Sequence, residues 1–156
     1  MSDEPANQDV LYDAAIPLSY LPLPTHAHIP GSDTQPDWPL LEHAKSFAPA
    51  VTIAAEWRNN LTYIYGFAVL RAGFYWEAHE VWEPVWLAAV PNSRERILLR
   101  ALIQTANARL KFGMNRPAAA ARLFAEVRVE LAGLTSCGEQ PFMGVNVMQL
   151  LSDIDE

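Results

Sequence analysis

The sequence predicts an all-α fold: a small antiparallel helical bundle preceded by an extended, proline-rich N-terminal arm. Three observations carry this expectation. From Leu40 onward, apolar residues recur at spacings of three and four. No segment alternates with a period of two between hairpin turns. Glycines and prolines punctuate the chain at intervals suited to helices. The 156 residues are one domain's length, and 51% hydrophobic against 19% charged residues is enough to bury a core. Residues 1–41 read as the arm and residues 42–156 as the bundle domain.

The arm holds seven of the twelve prolines: Pro5, Pro17, Pro22, Pro24, Pro30, Pro36 and Pro39. Proline fixes φ and lacks the backbone donor, so this stretch should be extended and irregular. Ile16, Leu18, Tyr20, Leu21, Leu23, Ile29 and Trp38 make it more apolar than a plain linker. Docking through Tyr20, Leu21, Leu23 and Trp38 is expected, on the bundle or on a second subunit. A homo-oligomer joined through the arm is the partner this would allow.

The helices follow in order. Leu40–Phe47 makes a short helix, ended before Pro49. Thr52–Leu70 reads as one long helix, with Ile53, Trp57, Leu61, Ile64, Tyr65 and Ala68 on a common face, weakened at Gly66 and broken at Gly73. Phe74–Ala89 is a third helix. Ser93–Phe112 is a fourth, with Ser93 as N-cap and Gly113 as the C′ residue. Pro117–Leu134 is a fifth, with Pro117 in its first turn and Leu123, Val127, Leu131 and Leu134 on one face. Gly133, Gly138 and Pro141 mark a loop, and Asn146 caps a last short helix, Val147–Ile154.

Charge narrows the function classes. Residues 1–44 contain no Lys or Arg and carry Asp3, Glu4, Asp9, Asp13, Asp33, Asp37 and Glu42. The rest of the chain is balanced, so the net charge of −7 sits on residues 1–44. With no basic run, nucleic acid and anionic membrane are not expected partners. The single Cys137 excludes an internal disulfide and a cysteine-cluster zinc site. The N-terminus lacks the basic and apolar regions of a secretory signal. No apolar run approaches the ~18 residues of a membrane span. A cytoplasmic location is expected.

Residues 74–86, FYWEAHEVWEPVW, concentrate the chemistry: three of the five tryptophans and three carboxylates around one histidine. At 100° per residue, Tyr75, Ala78, Val81, Trp82, Val85 and Trp86 form an apolar face. Glu77, His79, Glu80 and Glu83 fall on the other half with Trp76 and Leu87. No Lys or Arg lies between Arg71 and Arg94. The next helix is apolar except for a narrow stripe, Arg100, Gln104, Asn107 and Lys111. A short turn joins the two helices, so they should pack antiparallel. That register sets Glu83 against Arg100, His79 or Glu80 against Gln104, and Glu77 against Asn107.

The WEAHEVWE segment, the later ALIQTANARLK and the Gly113 and Asn115 turn resemble the bacterial and archaeal family called domain of unknown function 309. The matching positions are Glu77, His79, Glu80, Glu83, Trp86, Leu102, Ile103, Gln104 and Asn115, and the resemblance covers about residues 63–134. Pro84 departs from the usual pattern. The resemblance implies a small all-helical fold and brings no established activity.

Three readings of the cluster follow. It is a buried polar network that sets the register of two helices. Alternatively, it is a metal site: His79 and Glu83 share a face as in zinc-binding His-Glu-x-x-His helices, but the second ligand would be a carboxylate, and His26 and His28 are the only other paired histidines. Or it is a general acid/base site using His79, Glu80 and Glu83. The expected role is a binding or interaction module, for a protein or small-molecule partner, with a groove lined by Trp76, Glu77, His79, Glu80, Glu83, Trp86, Arg100, Gln104 and Asn107. No cofactor is expected. A metal-dependent or acid/base hydrolase, with a divalent metal as its cofactor, is the alternative.

Overall fold

The computed structural model describes residues 19–135 and 140–154. The expectations for residues 1–18 of the arm and for Cys137 and Gly138 lie outside the described residues. Within them the fold is all-α: α1 (Trp38–Lys45), a 3₁₀ helix (Ala54–Asn59), α2 (Leu61–Arg71), α3 (Tyr75–Leu87), α4 (Arg94–Gly113), α5 (Pro117–Ala132) and α6 (Val147–Ile154). The nearest approach to a strand among them is an isolated bridge between Phe142 and Val145.

Residues 52–70 do not form one helix. Asn60 divides them, leaving a 3₁₀ helix before α2, because its side chain caps the Tyr63 amide at 3.0 Å and its own φ and ψ are non-helical. An asparagine that can cap competes with the helix running through it. Nor does α2 bury one stripe: Thr62 to Phe67 are all buried, whereas Ile53 and Leu61 are exposed. This helix is central, with α3 packed against it.

Gly66 has a packing reason to be there. The Trp82 indole of α3 lies across α2 at this point, and a Cβ on Gly66 would sit 2.0 Å from its Nε1. The same Nε1 donates to the Tyr63 carbonyl at 2.9 Å. The rings of Tyr63, Phe67 and Trp82 continue edge-to-face, with centroids 5.0 Å apart at each step. The Tyr63 hydroxyl, deep in this core, donates to the carbonyl of Met143 at 2.8 Å.

The stops are locally encoded. Gly73 adopts φ +88, and the Phe74 amide reaches back to the Val69 carbonyl. At the end of α4 the left-handed residue is Asn115, φ +60, rather than Gly113, which stays helical. The Arg116 amide then bonds the Lys111 carbonyl at 2.9 Å. Asparagine tolerates this conformation better than most residues with a Cβ. Ser93 caps α4 through the Arg96 amide, and Asn146 caps α6 through that of Gln149.

Around α2, α3 packs on α4, and α4 packs in turn on α5. The chain before α1 runs over α2 and α3. Leu21 packs on the core and Pro24 is buried. The Tyr65 hydroxyl donates to the Pro22 carbonyl at 2.8 Å. Docking through Tyr20 and Leu23 does not occur on this chain: Tyr20 is fully exposed and Leu23 is 46% exposed. In a proline-rich extended segment the carbonyls and alternate side chains reach the surface, so its most apolar residues need not be the ones that dock.

Candidate functional site

Helices α3 and α4 meet through the short turn 88–93, and part of each stripe read from the sequence lines one cleft, without Glu77, Glu80 or Lys111. Its volume is about 410 Å³. His79, Glu83 and Trp86 come from α3, and Arg100, Ile103, Gln104 and Asn107 from α4. Beside it lies a smaller hollow of about 240 Å³, bounded by Trp86, Asn92, Arg96, Ile97, Arg100 and Glu130. Trp86 and Arg100 belong to both, so the two form neighbouring parts of one groove.

The stripes do not pair with each other as the sequence register suggested. Arg100 Nε lies 3.2 Å from Glu130, not against Glu83. Gln104 donates to Glu126 at 3.2 Å and accepts from Asn107 at 3.1 Å. Helix α5 supplies both carboxylates. The i,i+4 spacing of Glu126 and Glu130 beside the buried Val127 and Leu131 was the available signal for this. On the α3 wall, His79 Nε2 stands 3.5 Å from Glu83 Oε2, an ion pair only when the imidazole is protonated. The side chains of Glu83 and Arg100 are 46% and 56% exposed, so the cleft is open and not a sealed network.

Trp86 forms part of the floor. The Arg96 guanidinium covers its ring at 4.7 Å from the centroid and donates to the Ala89 carbonyl. The indole Nε1 of Trp86 is buried and has no acceptor.

The rest of the predicted cluster lies on the adjoining side of α3. Residues 79, 83 and 86 share one helical row, 77 and 80 lie around the helix from it, and Trp76 stands one turn before His79, where His28 and Trp38 meet it. Glu80 accepts from Lys45 of α1 at 2.8 Å. Burial works against the Lys45 ammonium, but Glu80 and Glu42 outweigh it and raise its pKa above the usual lysine range. Trp76 meets the His28 ring at 4.5 Å and the Trp38 ring at 5.6 Å, both edge-to-face.

Glu77 is 1% exposed. Its Oε2 accepts the backbone N–H of His28 at 3.0 Å, and its Oε1 has no partner. Burial raises its carboxyl pKa, and the His28 amide offsets part of that rise. Tyr65 is pushed up to about 12 by burial, with the Asp37 and Glu77 charges adding to it. Sequence reading placed Glu77 on the polar half of α3 and had no means of seeing that the His28 backbone reaches it.

Among the described residues, no group of three or more His, Cys, Asp or Glu side chains is placed to hold a metal ion. The rings of His26 and His28 bond the carbonyls of Gln35 and Thr34, each at 2.7 Å. Nor is any described helix long and apolar enough to cross a membrane.

The fold and the cleft define a small all-α domain with an interhelical groove. Residues 63–123 match the family model described as domain of unknown function (DUF309), so the chain carries a DUF309 domain over that segment. The match runs from α2 into α5 and includes both walls of the cleft. No curated protein and no solved structure is significantly similar to the chain.

Proposed function

We propose that this DUF309 helical domain is a binding module and that the α3–α4 cleft receives a small polar ligand. The observation that carries this reading is the arrangement of the two polar stripes. They line one open cleft, yet they do not pair with each other: His79 meets Glu83 within α3, Asn107 meets Gln104 within α4, and Arg100 and Gln104 take Glu130 and Glu126 of α5. A network serving only to set helix register would pair across the seam and exclude water. The volume falls within the ~300–1,000 Å³ of small-ligand sites. Trp86 and Ile103 offer apolar surface, and His79, Glu83, Arg100 and Asn107 offer orienting polar groups.

The test is a fragment screen read by amide and indole chemical shifts of the full chain. Hits should move the Trp86 indole N–H together with resonances of His79, Arg100, Gln104 and Asn107. Hits that scatter over the surface, or gather elsewhere, would remove the proposal.

A second reading, hydrolysis by acid/base chemistry, draws on the 3.5 Å approach of His79 and Glu83 within the cleft. Glu80, the third member of the expected set, is engaged by Lys45 outside it. Turnover of a generic ester or phosphoester that is lost in His79→Gln, with the fold intact, would favour this reading over simple binding.

A further inference from the structure

We infer that the ligand of the cleft is a small zwitterion, an α-amino acid with an apolar or aromatic side chain. This rests on the cleft being a ligand site and adds the ligand's chemical class. Two opposite charges stand on facing walls of one cavity: Glu83 on α3 and Arg100 on α4. They are not spent on each other. Arg100 Nε stands 3.2 Å from Glu130, and no other carboxylate among the described residues is paired with Arg100. For Glu83 the corresponding partner is His79, at 3.5 Å. The Arg100 side chain is 56% exposed, and a guanidinium matches a carboxylate in a two-pronged geometry. A carboxylate beside an imidazole matches an ammonium, which supplies three donors and no acceptor.

The surroundings fit the rest of such a molecule. Trp86 and Ile103 lie within the same cavity and give its side chain an apolar surface. Across the whole groove Arg96 and Arg100 balance Glu83 and Glu130. A ligand of either net charge would upset that balance, and a zwitterion would not.

The experiment is calorimetric titration of the full chain with free L-tryptophan, L-phenylalanine and L-leucine, and with their amides and N-acetyl forms. The amides lack the carboxylate and the N-acetyl forms lack the ammonium. At least one free amino acid should bind at millimolar concentration or below, and both blocked forms should bind at least about tenfold more weakly. In Arg100→Gln the free acid and its amide should become equivalent. In Glu83→Gln the free acid and its N-acetyl form should become equivalent. Both side chains are half-exposed, so both variants should fold, which circular dichroism checks. Blocked forms that bind as well as the free acids would overturn the zwitterion, as would no binding by any of the three. The cleft as a ligand site would survive either result if fragments still shift its resonances, and would fall with the zwitterion if they do not.

Discussion

Gly66 leaves space for Trp82, so Gly66→Ala should be severely destabilising. A methyl 2.0 Å from an indole nitrogen cannot be relieved without moving α3 or breaking the Trp82–Tyr63 bond. Overpacking of this kind costs about 1–3 kcal/mol. Urea unfolding should show that loss, and Trp82→Phe should recover part of it in the double variant. Glu77 makes a different prediction. Its folded pKa is raised, so the folded state holds the proton more tightly than the unfolded chain does. Stability should therefore fall as pH rises from the ordinary glutamate value through the raised folded one. Glu77→Gln should flatten that dependence; urea midpoints measured across the window compare the two chains. A wild-type midpoint that stays level where the variant's does would contradict the assignment.

Helix ends and helix seams show how local chemistry and packing share control. Asn60 ends the 3₁₀ helix and begins α2, and its side chain is buried. Asn60→Ala should cost about 0.5–2 kcal/mol by thermal or chemical unfolding. Across the α3–α4 seam the expectation is the reverse of a paired interface. Glu83 and Arg100 face one cavity without bonding each other, so Glu83→Ala and Arg100→Ala should each cost little, about 0–1 kcal/mol. Their effects should add in the double variant, and a coupling above about 0.5 kcal/mol would reveal a pair that the geometry does not contain.

At the scale of the whole molecule, residues 21–28 act as part of the fold. Leu21 and Pro24 cover the core, the Pro22 carbonyl receives the Tyr65 hydroxyl, and the His28 amide meets Glu77. Deleting residues 1–36 removes all of these at once. Burying a leucine-sized side chain is worth roughly 1.5–3 kcal/mol. A loss of about 2 kcal/mol corresponds to a melting temperature lower by about 4–8 °C in a domain of this size. Circular dichroism measures it, and sedimentation of both proteins reports whether the exposed Tyr20 and Leu23 join two copies. An unchanged melting temperature would mean that these contacts add nothing to stability.

The sequence by itself determined the all-α class, because spacings of three and four and Gly or Pro stops act over a single turn or two. The same short range made Gly73 readable as a break and Ser93 and Asn146 as caps. It also made the stripe Arg100, Gln104, Asn107 visible as one side of α4. Only the tertiary structure decided what these groups meet. A helical wheel ranks directions around one axis and knows nothing of a third helix, so Glu126 and Glu130 of α5 went unseen as partners of that stripe. Nor does it know of a stretch of chain folded over the surface, and so Glu77 was set against Asn107 when its partner is the His28 amide. Burial and pairing depend on segments distant in sequence. For that reason the candidate residues were legible from α3 and α4 alone, while the division between an open cleft at His79, Glu83 and Trp86 and a covered face at Trp76, Glu77 and Glu80 was not.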